Sequence, residues 1–254
     1  MAKNRSLKAV IRRLGQIDQK IQQIIDKKGH ANVLEVGCGF GLPMLELKKK
    51  FRNQITLTGI NRDEKFNLPK KALWEGIKQM RFLPWDWITY EKRFGFPTYV
   101  NCDASLKLPF EGNSFDFVYS IATTFFLHDK IHFLEELNRI LKPECEASVH
   151  FSHSAIEHGL YPEAPDAPYD NLCEIQNKDG TVVSVEKYFK KFACISLIDQ
   201  ENGKPTYLRL RKTSDEIDLG LTLVDSCWLP DINSKWIGYA RGVYCLTHDE
   251  PRHN

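Results

Sequence analysis

The chain has 254 residues, 42% apolar and 27% charged, an average balance that excludes wholesale disorder and collagen-like repeats and suits one large domain or one domain with a sizeable insertion. Its net charge of +2 hides an asymmetry: residues 1–30 carry eight Lys or Arg against Asp18 and Asp26, which leaves −4 for the remainder. A nucleic-acid binder with a basic body is disfavoured, while a basic N-terminal arm stays open. Leu7, Val10, Leu14, Ile17, Ile21 and Ile24 recur at gaps of three and four, which predicts one amphipathic helix from Ser6 to Gly29. Ala31 to Val36 reads as a short apolar strand running into Gly37. Leu42 to Phe51 follows as a helix with Pro43 in its first turn, where a missing N–H costs nothing.

Ile55–Ile60, Val100–Cys102, Ser114–Ser120 and Ala147–Phe151 read as further strands, with a helix from Asp129 to Leu141 before the last. This alternation predicts an α/β fold with a mostly parallel sheet and helices on both faces. Residues 153–188 form a polar connection with three prolines. Phe192 to Arg211 reads as a hairpin around Glu201-Asn202-Gly203. Thr213 to Leu219 reads as a short helix capped by Thr213 or Ser214 with Glu216 as reciprocal partner. Leu221–Leu229 and Gly242–Thr247 read as an antiparallel pair closing the sheet edge. None of the seven cysteines is spaced C-x-x-C, so they are read as reduced thiols of a cytoplasmic protein. No signal-peptide core opens the chain, and no run of ~18 apolar residues suggests a membrane span.

The chemistry concentrates at Glu35-Val36-Gly37-Cys38-Gly39-Phe40-Gly41, at the end of the first strand. Glycines there let a ligand approach the backbone, and open α/β sheets bind ligands at the carboxyl ends of strands where strand order reverses. A dinucleotide fingerprint would place the third glycine one residue later, so the turn suits a nucleoside with an amino-acid tail better than a pyrophosphate.

These residues resemble the first motif, E/D-x-G-x-G-x-G, of class I S-adenosylmethionine-dependent methyltransferases of small-molecule type. The resemblance continues through Thr58-Gly59-Ile60-Asn61, Cys102-Asp103-Ala104, the Leu108–Val118 stretch with Gly112 in its acidic slot, and Leu137–Pro143. It covers about residues 30–153. It implies a Rossmann-like, doubly wound, seven-stranded sheet, mostly parallel with an antiparallel edge strand, plus insertions. With the N-terminal amphipathic helix at 1–30 set apart by its periodicity, it implies a methyltransferase domain at 31–254 whose insertions at about 64–97 and 154–211 form a substrate cap. The implied cofactor is S-adenosyl-L-methionine, bound by Glu35, Gly37, Cys38, Gly39, Gly41, Asn61, Asp103, Ala104 and Ser120. In the family an acidic residue at position 61 bonds the ribose hydroxyls and an Asp at 103 takes the adenine amino group. Asn61 forfeits a charge-assisted bond. Glu144-Cys145-Glu146 stands where the family has two glycines, in a turn facing away from the cofactor.

A sulfonium methyl is already activated, so the protein's task is alignment of a nucleophile, with a base taking the acceptor's proton. His128, after the fourth strand, and His153, after the fifth, are the candidate bases. No metal is expected, since His150 and His153 point to opposite faces of a strand. Trp74, Phe82, Trp85, Trp87 and Tyr90 supply rings for an acceptor pocket or a satellite core. The function implied is methyl transfer to O, N or C of a small molecule. A macromolecular substrate, supported by the basic arm, and a non-catalytic binding module, supported by Asn61, are the alternatives.

Overall fold

The computed structural model describes residues 5–62, 74, 86–151, 172–200, 204–229 and 239–247. Its elements are α1 (Leu7–Leu14), α2 (Ile17–Lys28), β1 (Ala31–Val36), α3 (Leu42–Phe51), β2 (Ile55–Asn61), α4 (Trp87–Phe94), β3 (Thr98–Asn101), β4 (Phe115–Ser120), α5 (Lys130–Ile140), β5 (Leu141–Val149), β6 (Cys173–Gln176), β7 (Val182–Val183), α6 (Val185–Phe189), β8 (Ile195–Gln200), β9 (Lys204–Arg211), β10 (Leu221–Leu229) and β11 (Tyr239–Leu246). A seven-stranded sheet runs in the order β3-β2-β1-β4-β5-β9-β8. Strands β1 to β5 pair in parallel, and β9 pairs antiparallel with both β5 and β8. This is the Rossmann-like arrangement expected. The chain runs outward from β1 to β3 and returns to β4 on the other side of β1, so strand order reverses between β1 and β4.

The apolar alternation of β1 divides the core. Leu34 and Val36 face the α5 side, with Val118, Phe133, Leu134 and Leu137. Ala31 and Val33 face the other side, against Val10, Leu14, Ile17, Ile21 and Ile25 of the N-terminal helices. Those helices are two rather than the single one predicted. Gly15 adopts φ 74°, a left-handed conformation that suits glycine, and a Cβ there would meet the Tyr207 hydroxyl of β9 at 3.3 Å. The charges of α2 are matched by the sheet. Lys20 pairs with Glu146, and Lys28 donates to Asp116, which also takes the Asn32 N–H and Lys142.

The C-terminal part departs from expectation in two respects. Leu221–Leu229 and Tyr239–Leu246 do pair antiparallel, but not on the main sheet. With β6 and β7 they form a second, four-stranded sheet, β10-β11-β6-β7. The edge beyond β5 is already filled by the β8–β9 hairpin, whose turn 201–203 lies outside the described residues. Part of the presumed 154–211 insertion is thus main-sheet structure. The helix expected at 213–219 is absent as well. Asn138 of α5 donates to the carbonyls of Ser214 and Asp215, and the Ser214 hydroxyl donates to Glu216 C=O instead of capping a helix. Trp74 and Tyr90 pack with Phe94, Leu42 and Leu45 in a small cluster on α3, a satellite core. Phe82 and Trp85 lie outside the described residues. Among the described residues no helix is long and apolar enough to cross a membrane.

The second sheet is fastened by a buried lysine. Lys130, the first residue of α5, donates from Nζ to Leu127 C=O at 2.8 Å and to Ala240 C=O of β11 at 2.7 Å. Its backbone N–H donates to the Tyr244 hydroxyl at 2.6 Å. Burial lowers its pKa to about 8. Lys130→Met keeps the length of the side chain and leaves two carbonyls without this donor. The variant is expected to lose about 2–4 kcal/mol in urea unfolding and to show faster amide exchange across β11. Unchanged stability would show that the two bonds contribute nothing.

Candidate active site

Three residues in the left-handed region shape the turn that leaves β1: Gly37 (φ 74°), Gly39 (φ 55°) and Gly41 (φ 76°). Each glycine answers a different demand. A Cβ at Gly37 would lie 1.9 Å from Thr123 Oγ1, and one at Gly41 would lie 2.3 Å from the Tyr99 hydroxyl. At Gly39 no described residue lies within 4 Å. Two of the glycines therefore admit protein, and the third faces open space at the carboxyl end of the strand where a ligand would approach.

The turn is pinned from every neighbouring strand. Gly37 N–H and Cys38 N–H both donate to Ile60 C=O, at 2.9 and 3.2 Å, and Gly41 N–H closes onto Cys38 C=O at 2.9 Å. Tyr99 Oη donates to Phe40 C=O at 3.0 Å. Ser120 Oγ and Thr123 Oγ1 both donate to Val36 C=O at 3.2 Å, joining the end of β4 to the end of β1. Ala122, between them, holds φ 54°, a strained position for a residue with a Cβ. Cys38 turns its sulfur inward against Gly59.

Glu35 lies on the N-terminal-helix face of β1, 2% exposed, and accepts from Tyr119 Oη at 2.9 Å. Burial pushes its pKa up to about 8, while the Tyr119 hydroxyl and the charge of Arg5 work in the other direction. Asn61, at the end of β2, is turned toward Gly39 and bonds its N–H and its C=O. Asp103 is held in a local turn by the Ser105 N–H at 2.8 Å, and Ala104 beside it is buried in the core next to Ile60 and Val36.

Two residues here were not foreseen. Arg62, directly after Asn61, reaches Asp103 Oδ2 at 3.9 Å and lies over the Trp228 ring at 5.5 Å. Trp228 comes from β10 and stands edge-on to the His128 ring, 4.6 Å between centroids. His128 Nδ1 bonds the Ser226 hydroxyl of β10, and its backbone N–H donates to Ser105 Oγ at 3.2 Å. The structure thus gathers Asp103, Arg62, His128 and Trp228 at the outer end of the crevice. His153, with His158, lies outside the described residues. Arg62 had a local signal, its place after Asn61. Trp228 had none, since only the docking of the second sheet brings it here.

Residues 34–148 match the family described as a methyltransferase domain. A cycloartenol-C-24-methyltransferase of Arabidopsis thaliana is 35% identical over 117 residues, 46% of this chain and 30% of that protein. Cycloartenol-C-24-methyltransferase 1 of Oryza sativa subsp. japonica is 30% identical over 116 residues, 45% of this chain and 29% of that protein. The chain therefore spans about three tenths of the length of the curated relatives it matches. The crystal structure of the CurJ carbon methyltransferase superposes with a TM-score of 0.50 at 14% identity, covering 78% of this chain and 53% of that one, a likeness of fold.

The state of Glu35 gives a pH test. An unfolded chain ionises this carboxyl near 4.5 and the folded one near 8, so the folded state holds the extra proton between those values. Stability should fall as pH rises through that window and level off above it. Glu35→Gln removes the penalty. Relative to the parent, its unfolding free energy is expected to gain about 2–4 kcal/mol between pH ~5 and pH ~8. A difference that stays constant with pH would contradict a buried, protonated Glu35.

Proposed function

We propose that the chain is a class I S-adenosylmethionine-dependent methyltransferase that transfers a methyl group from S-adenosyl-L-methionine to a small-molecule acceptor; the methyltransferase-domain match over residues 34–148 supports this reading. The observation that carries this reading is the open space over Gly39, in a turn whose other two glycines are closed by protein. The names of the two plant relatives support a small-molecule acceptor, with carbon as the methylated atom.

When bound, the cofactor supplies a sulfonium-activated methyl group. The residues present fit such a ligand: bare backbone at Gly39, the carboxylate of Asp103 beyond it, and a buried acid at Glu35 behind the turn. Their work is to bind and orient, which sets the acceptor's attacking atom in line with the S–CH₃ bond; such alignment is worth effective molarities up to ~10⁵–10⁸ M. A cofactor held there would give its methyl group to the acceptor and leave as S-adenosylhomocysteine. The proton lost by the acceptor passes to a base, for which we propose His128 or His153. Ser226 fixes the His128 ring at Nδ1.

Gly39→Arg starts its side chain where no described residue lies within 4 Å but adds strain at φ 55°; with its fold checked by circular dichroism, it is expected to lose S-adenosylhomocysteine binding by calorimetry. Unchanged affinity would sink the cofactor reading. Asp103→Ala should weaken affinity by about ten- to a hundredfold, the worth of one charge-assisted bond. Turnover assays of His128→Ala and His153→Ala over a panel of small acceptors separate the two bases. Full activity in both would exclude either as the proton acceptor.

A further inference from the structure

We propose that Asn61 is a positioning residue of the glycine turn, acting on the cofactor through the Gly39 peptide rather than by contact with ribose hydroxyls. The evidence is the complete engagement of its amide hydrogens. Oδ1 accepts from Gly39 N–H at 2.8 Å. Nδ2 donates to Gly39 C=O at 3.0 Å and to Cys38 Sγ at 3.1 Å. The amide carries two hydrogens and both are directed into the turn. The orientation of the amide is fixed by the backbone, because a peptide N–H requires an acceptor and a peptide carbonyl a donor.

Gly39 is where such a clasp has most effect. Its φ of 55° lies in the left-handed region, and no described residue lies within 4 Å of where its side chain would start. Its neighbours in the turn are anchored to Ile60 and Tyr99. Asn61 is the residue that holds both polar groups of the Gly39 peptide. The role also explains an amide at this position. A carboxylate accepts from Gly39 N–H but sets its second oxygen against Gly39 C=O and has no hydrogen for Cys38. The sulfur is a fitting acceptor, a thiol tucked against β2 and kept neutral by burial.

The inference rests on the cofactor reading for its binding test and on the free protein alone for a second one. Asn61→Asp separates the two roles by sign. A ribose contact would be strengthened by a charged acceptor, and affinity for S-adenosylhomocysteine would hold or rise. A clasp loses its donor, and affinity is expected to fall about tenfold. In the ligand-free full chain, Asn61→Ala should speed hydrogen exchange of the Gly39 amide at least about tenfold, with the circular dichroism spectrum unchanged. Unchanged or tighter binding by Asn61→Asp, or unaltered Gly39 exchange in Asn61→Ala, overturns the inference. If the parent chain takes no S-adenosylhomocysteine while Gly39 exchange responds to Asn61→Ala, the clasp stands and the cofactor reading falls.

Discussion

The carbonyl of Val36 receives two hydroxyl groups, those of Ser120 and Thr123, and this small cluster fixes the crevice on which the site depends. It joins the ends of β1 and β4, the two strands between which sheet order reverses. One strand leaves through Gly37 and the other through Ala122, both in the left-handed region. The absent Cβ of Gly37 is what lets Thr123 sit close enough to donate. A methyl group at that position would push the hydroxyl away, and the loop after β4 would lose its register with the glycine turn.

A second set of contacts closes the outer end. The four-stranded sheet reaches the crevice through Ser226 and Trp228 of β10, which engage His128, while Lys130 secures β11 beneath them. Arg62 spans the two halves, facing Asp103 on one side and the Trp228 ring on the other. The main sheet supplies the glycine turn and the second sheet supplies Trp228, and the Arg62 guanidinium links that ring to Asp103 and to the Phe126 carbonyl.

Much of this was legible in order along the chain. Strands β1 and β4 are almost wholly buried because both faces of the sheet are covered there, and the glycine turn is a local motif whose meaning lies within seven residues. What escaped depended on partners far away in sequence. The apolar stripe of 7–24 gives no hint of a break at Gly15, which is set by the Tyr207 ring packing there. Thr213, Ser214 and Glu216 carry a local helix signal, yet Asn138 takes the backbone carbonyls that a helix would use. The placement of Leu221–Leu229 and Tyr239–Leu246 was misjudged because their antiparallel pairing is local but the choice of sheet is not. Asn61 was recognised as a site residue from its place after β2. Its direction, into the turn, depends on how two strands set their ends together.

The basic N-terminal stretch takes on a different character once folded. Lys20 and Lys28 of α2 meet Glu146 and Asp116 under the sheet, and Lys50 of α3 meets Asp18. Part of the lopsided charge is thus an internal complementarity, with two of the eight basic residues of 1–30 set against carboxylates of the sheet. Asp116, nearly buried, would face solvent and one fewer cation without them. Cutting the molecule before Ala31 would therefore strip a counter-charge as well as a hydrophobic cover, and the first two helices are an electrostatic floor that the main sheet stands on.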